Sequence, residues 1–138
     1  MQITRQADYA LRAMLYLAKQ DPNVRAATSQ IASKQQIPPS FLAKIISQLS
    51  IAGLINTSRG ARGGVTLARD AAEITLLDVV EAIDGPISLN VCSHSAGACP
   101  FGNDCPIQPI WSETQIELVN KLKSTNFAQL VESSQNQE

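Results

Sequence analysis

All three cysteines of this chain, Cys92, Cys99 and Cys105, fall within residues 92–105, a stretch that also holds Gly97, Pro100, Gly102 and Asp104. Thiols grouped on a glycine- and proline-bearing loop suit a soft metal centre. Thiolates match iron–sulfur clusters and zinc, and glycine lets backbone amides come close to the sulfurs. The gaps of six and five residues between the cysteines are wider than the paired ligands of zinc knuckles and ribbons. They also depart from the C-x2-C-x2-C run of bacterial ferredoxins, which places a small electron-transfer protein behind other readings. His94 stands two residues from Cys92, but no orienting acid or oxyanion site accompanies that Cys–His pair, so no enzyme is expected. The plain alternative is three inert thiols; against it, unreactive cysteine is usually buried rather than gathered on a loop.

Three thiols cannot all pair within one chain, and Met1 to Thr4 shows no charged segment running into an apolar one. The thiols are therefore expected to be reduced and the protein cytoplasmic. No apolar run approaches the length of a membrane span, so no membrane partner is expected.

Charge divides sharply along the chain. Residues 1–69 carry nine basic side chains against Asp8 and Asp21, while residues 70–138 carry Lys121 and Lys123 against ten acids. The halves stand at +7 and -8 beneath a net charge of -1, which predicts a basic surface for a polyanion and an acidic surface turned away from it. Aromatic residues make up only 4% of the chain, too few for the stacking platforms of single-strand binders, so the polyanion is expected to be duplex DNA.

The elements that would position these groups are mainly helical. Residues 5–20 set Ala7, Ala10, Leu11, Met14, Leu15, Leu17 and Ala18 at three- and four-residue spacing, with Thr4 as N-cap and Asp21–Pro22 as the stop. Residues 28–35 are expected as a short helix capped by Thr28 or Ser29, turning at Gln36–Ile37. A third helix opens on Pro38–Pro39 and ends at Gly53, a residue suited to a left-handed cap. Phe41, Leu42, Ile45, Ile46 and Leu49 form its apolar face, leaving Ser40, Ala43, Lys44, Ser47 and Gln48 on or near the other. Two short helices joined by a tight turn read as helix-turn-helix. Leu54–Ile55 and Val65–Leu67 then read as strands flanking a glycine-rich loop over 56–64 that carries Arg59 and Arg62. A helix-turn-helix followed by such a hairpin is a winged helix, whose second helix enters the major groove while the wing reaches the backbone or minor groove. Lys44 suits guanine or phosphate, Ser40 either, Gln48 adenine, and the two arginines phosphate or a narrow minor groove.

Thr75 with Asp78 predicts a capped helix over 76–83, stopped by Asp84–Gly85–Pro86. Residues 107–123 predict a longer amphipathic helix with Ile107, Ile110, Trp111, Thr114, Leu118, Val119 and Leu122 on one stripe, the expected seam of a homodimer that would match a palindromic operator. Thr125 starts a short terminal helix with Phe127 and Leu130, and Ser133 to Glu138 reads as a frayed polar tail. The expected fold is mainly α: a winged helix-turn-helix DNA-binding region over 1–86 with a small β wing, an iron–sulfur loop over 87–106, and a long dimerisation helix with its tail over 107–138, together one compact domain.

The segments ITRQADYALRAMLYLA, QIASKQQIPPSFLAKIISQLSIAGLI, SRGARGGVTLARD and EITLLDVVEAIDG, with the three-cysteine loop, resemble the iron–sulfur-sensing winged-helix transcription regulators of the IscR/NsrR/RirA family over nearly the whole chain. The resemblance implies that Cys92, Cys99 and Cys105 hold an iron–sulfur cluster, 4Fe–4S by preference or 2Fe–2S. It implies that Ser40, Lys44, Arg59 and Gly60 lie at the DNA surface; Thr28, Gln48 and Arg62 are counted with them. Gln108 stands where IscR-like members place a histidine ligand, and Asp8 stands where NsrR-like members supply an aspartate ligand from the partner subunit. Asp8 has a simpler role as an acid in the first turn of a helix, and His94 or an exogenous group competes with it as the fourth ligand. The resemblance thus implies a dimeric repressor whose operator binding responds to nitric oxide, oxygen or iron status through the cluster. The alternatives are a cluster-free thiol-switch regulator, which would sense peroxide through a sulfenic acid, and the electron-transfer protein that the cysteine spacing disfavours.

Overall fold

A computed structural model describes residues 2–61, 63–90 and 104–136. Helix α1 spans Arg5–Lys19, and Thr4 caps it by accepting the Ala7 amide at 3.1 Å. Its inner face is small: Ala7, Ala10 and Ala13 are fully buried beside Met14 and Leu17. With methyl groups along that face, several elements can approach the helix closely, and α1 meets both helices of the helix-turn-helix, the wing and the helices that follow.

Helix α2, Thr28–Gln35, turns Ile31 and Ala32 inward as expected. Its cap differs from expectation: Ala27 occupies the N-cap, and the Gln30 side chain accepts the Ala27 amide at 3.3 Å, so neither Thr28 nor Ser29 caps the helix. The turn closes at Gln36, whose φ of 54° makes it the one non-glycine residue with positive φ among those described. The Ile37 amide returns to the Ala32 carbonyl at 2.9 Å and the Gln36 amide to Ser33, the paired bonds of a Schellman closure. Helix α3, Pro39–Ile51, ends the same way, with Leu54 bonded to Leu49, Gly53 to Ser50, and Gly53 at φ 77°. Leu42, Ile45, Ile46 and Leu49 are buried. Phe41, expected on that apolar face, is instead 42% exposed and stands 6.1 Å from the Tyr9 ring, tilted 58°. It lies at the border of the buried face, beside Tyr9 of α1.

Strands β1 (Ile55–Ser58) and β2 (Gly64–Leu67) pair antiparallel with Ile55 opposite Leu67 and Ser58 opposite Gly64. Pairing runs further out than the sequence suggested, so the wing tip is residues 59–63 rather than 56–64. Ala26 adds a short third rung, exchanging backbone bonds of 3.0 and 2.8 Å with Val65. A 3-10 turn at Ala71–Glu73, capped by Asp70, leads to α4, Leu76–Asp84. There Thr75 and Asp78 form the expected reciprocal cap, at 3.1 and 3.0 Å. An acid at a helix C-terminus is unfavourable, yet Asp84 ends α4 and accepts the Thr4 hydroxyl at 2.6 Å, fastening the start of α1 to the end of α4.

Helix α5 spans Gln108–Lys123 and has no buried residue. On the expected stripe Trp111, Leu118, Val119 and Leu122 are half-buried, whereas Ile107 and Ile110, with Ile116 off the stripe, stay 57–60% exposed. Helix α6, Phe127–Gln135, is capped by Asn126 rather than started by Thr125, with Gln129 returning the bond at 2.9 Å. It runs through Ser133 to Gln135, so that part of the expected frayed tail is ordered helix. Phe127 is 1% exposed and belongs to the same core as α1 and α3. Its amide bonds to Ile74 at 3.1 Å while Leu76 bonds to Thr125 at 3.0 Å, so the end of the chain returns to the base of α4. Phe127→Ala should remove about 3–5 kcal/mol of stability, read as a lowered midpoint in urea with an unchanged slope.

Candidate nucleic-acid interface

On α3, Ser40, Ala43, Lys44 and Ser47 are all exposed, because the turns that bury Leu42, Ile45, Ile46 and Leu49 leave the opposite face to solvent. The wing stands beside that face. Between them lies a groove of about 560 Å³ lined by Thr28, Ala43, Ser47, Thr57, Arg59 and Gly60 among others. A second groove, about 630 Å³ and largely apolar, runs between α2 and α3 past Thr28, Ala32, Pro39 and Ala43. Thr28, Arg59 and Gly60, read from the sequence as DNA-facing, thus line one groove, and Ser40 and Lys44 project from the helix at its side. Arg62 lies outside the described residues. Thr57 was not anticipated; its signal is the β1 burial pattern, where Ile55 is buried and Asn56, Thr57 and Ser58 are exposed. Gln48 is placed differently from its neighbours: it is half-buried, and its Oε1 is buried without a hydrogen-bond partner among the described residues.

The wing tip depends on glycine at two points. Gly60 has φ 101°, and a Cβ on Gly63 would lie 2.3 Å from the Ser58 carbonyl oxygen and 2.9 Å from that of Gly60. Both obstacles are backbone, so no side-chain shift relieves them.

Asp8 is exposed near the start of α1 and pairs with Arg12 one turn on, at 3.2 Å. The same guanidinium lies 4.9 Å from the centre of the Tyr9 ring and donates to the Gln35 carbonyl, at the end of α2, at 3.1 Å. A cation at that helix end meets the negative pole of the dipole, and through it the first turns of α1 are tied to the turn of the helix-turn-helix.

Of the thiols, Cys105 is described: it is half-buried, and its carbonyl accepts the Gln108 amide at 3.3 Å as the chain turns into α5. Cys92, Cys99 and His94 lie outside the described residues. The Gln108 side chain donates to Ser112 at 2.8 Å within α5. Among the described residues no three histidine, cysteine or acidic side chains come together as a metal site.

A helix-turn-helix whose second helix lies open beside a paired hairpin defines a winged-helix protein of the DNA-binding kind. Residues 3–133 match the Rrf2 family model, described as an iron-dependent transcriptional regulator. A protein of Mycobacterium tuberculosis named as an HTH-type transcriptional regulator, Rv1287, is 33% identical over 129 residues, which is 93% of this chain and 80% of that protein. Among solved structures, CymR of B. subtilis, titled the global cysteine regulator, superposes with a TM-score of 0.81 at 26% identity, over 96% of this chain and 98% of its own. The oxidized form of Staphylococcus aureus CymR gives 0.76 at 27%, covering 96% and 97%. IscR of T. potens gives 0.78 at 22%, covering 97% and 88%, a likeness of fold. The chain belongs to the Rrf2 family of transcriptional regulators, the group whose resemblance its motifs carry. No helix among the described residues is long and apolar enough to cross a membrane.

Gly63→Ala should distort the wing and weaken binding to duplex DNA about tenfold, the factor for one charge-assisted phosphate contact. The thermal midpoint should move little, since the tip carries no core residue; fluorescence anisotropy and calorimetry on the same preparation check both.

Proposed function

We propose that this Rrf2-family regulator is a cytoplasmic homodimeric repressor that binds palindromic duplex DNA through α3 and the wing, with an affinity set by an iron–sulfur cluster at the cysteine loop. The observation that carries the DNA part is the open α3 face beside the Arg59-bearing wing, within the half of the sequence that holds nine of eleven basic side chains. Ser40, Lys44 and Thr28 face the groove and backbone of the DNA, and Arg59 with Arg62 and Gly60 bring the wing to the phosphates. Helix α5 supports the dimer: a sixteen-residue helix with no buried side chain, two isoleucines more than half exposed and a third, Ile107, exposed at its N-cap gains further burial from a second copy.

The donor chemistry fits the proposed cofactor. Three thiolates suit iron, Cys105 is half-buried and reachable at the foot of α5, and the exposed Asp8 carboxylate can serve as a weak fourth ligand from the partner copy. When bound, a 4Fe–4S or 2Fe–2S cluster so held supplies iron that nitric oxide, oxygen or iron scarcity can attack or remove. The chain's own residues carry the change. Asp8 shares Arg12 with the last carbonyl of α2, so whatever engages Asp8 acts on the helix-turn-helix through that guanidinium. The Thr4–Asp84 bond joins the same end of α1 to the helix that leads into the loop. A tenfold change in operator affinity needs about 1.4 kcal/mol of difference between the two arrangements, more than one exposed pair of this kind supplies and therefore a sum over several such contacts.

A second reading, a thiol switch without a cluster, is favoured by the likeness to the cysteine regulator CymR, including its oxidized form. Anaerobic purification separates the two. The cluster reading expects coloured protein with matching iron and sulfide, bleached by nitric oxide, with Cys105→Ala losing the colour. Colourless, iron-free protein after reconstitution, with DNA binding that responds to peroxide, would transfer the assignment to the thiol switch. In either case affinity for duplex DNA should fall at least about a hundredfold between about 50 and 200 mM salt if several phosphates are contacted.

A further inference from the structure

Among the described residues, Gln48 is the one side chain on the exposed or half-exposed part of α3 that carries a buried polar atom without a partner. It stands one turn beyond Lys44, at the flank of the DNA-facing side, and its amide is placed with Oε1 inward. Turning the amide by half a revolution would bury the nitrogen in place of the oxygen, so one polar end of the amide stays inside either way. Swung outward, the whole side chain would present the donor and the acceptor of its amide together. The long side chain then extends from the face that carries Lys44 and Ser47.

We infer that Gln48 is a base-reading residue held folded in the free protein at a penalty, and that duplex DNA draws it out to pair with the N6 and N7 edge of an adenine in the half-site. The inference rests on the DNA-binding function proposed for α3 and the wing. Its chemistry follows from the amide itself: an acceptor and a donor side by side match adenine's major-groove edge and no other base as well. The unpaired carbonyl keeps the group poised, because an unsatisfied buried acceptor gains more on finding a donor than a hydrated one does. A residue that merely fills space at the α3 flank would show no dependence on base identity.

The test uses the full chain and the Gln48→Met variant, which keeps length, volume and helix propensity while removing the amide. Without DNA, Gln48→Met should melt about 4 °C higher, the shift expected for relieving one unpaired buried carbonyl in a domain of this size. A random pool of duplexes is then selected on the wild-type chain, and each adenine of the selected half-site is replaced in turn by 7-deazaadenine, which lacks N7. One position should weaken wild-type binding about tenfold, and the same replacement should leave Gln48→Met unaffected. A raised melting temperature with base selection unchanged would make Gln48 a packing defect and overturn the assignment, as would an enriched site with no N7-sensitive adenine. An unchanged melting temperature would remove the penalty and with it the poised state. A wild-type chain that enriches no duplex at all would overturn the DNA-binding function itself, a failure visible separately because the melting comparison involves no DNA.

Discussion

Close packing around α1 is the constraint on which the remaining architecture depends. Ala7, Ala10 and Ala13 present only methyl groups to the interior, and each is fully buried. One helix can therefore be approached by α2 and α3, by the wing and by α4 and α6. A larger side chain at any of these alanines would push one neighbour outward, and overpacking of this kind costs about 1–3 kcal/mol in a dense core. Because the helix-turn-helix and the returning C-terminal helix lie on the same rod, a displacement of α1 is felt by both.

That placement gives the polar contacts of α1 their meaning. Thr4 reaches Asp84 at the end of α4, and Arg12 reaches the last carbonyl of α2 while holding Asp8. Exposed pairs of this type contribute little to stability. Their effect is to fix geometry: they connect the helix that leads into the cysteine loop with the turn that orients α3. A regulator needs such contacts to be weak enough to exchange and specific enough to set an angle, and partly exposed charged hydrogen bonds meet both conditions.

The winged helix was legible because its signals are local. Thr4, Thr75 with Asp78, the Pro38–Pro39 opening and Gly53 each act within one turn of chain, and the apolar spacing of Leu42, Ile45, Ile46 and Leu49 is a property of the helix alone. What went unread depends on distant partners. Nothing around Ala26 announces a rung with Val65, and nothing around Phe127 announces that it completes the core of α1 and α3. Gln36 in the left-handed region lacks the glycine that normally marks such a closure, and Phe41 was misplaced because the width of a buried face is set by what covers it. Of the candidate site, the residues on α3 and the wing were readable by type, whereas the inward turn of the Gln48 carbonyl and the part played by Thr57 required the neighbouring elements.

By itself the sequence determined the class of the protein: periodicity and caps are short-range, so they specify helices, a hairpin and their order, and the motifs they carry lead to the Rrf2 regulators. It also determined the separation of charge and the grouping of thiols, which are properties of order along the chain. Tertiary structure decided which of those groups share a surface, how the last helix closes the core, and that α5 is left with Ile110 and Ile116 exposed and the rest of its apolar side chains half-covered. These depend on contacts between residues far apart in the chain, whose entropy of closure only the assembled core can offset.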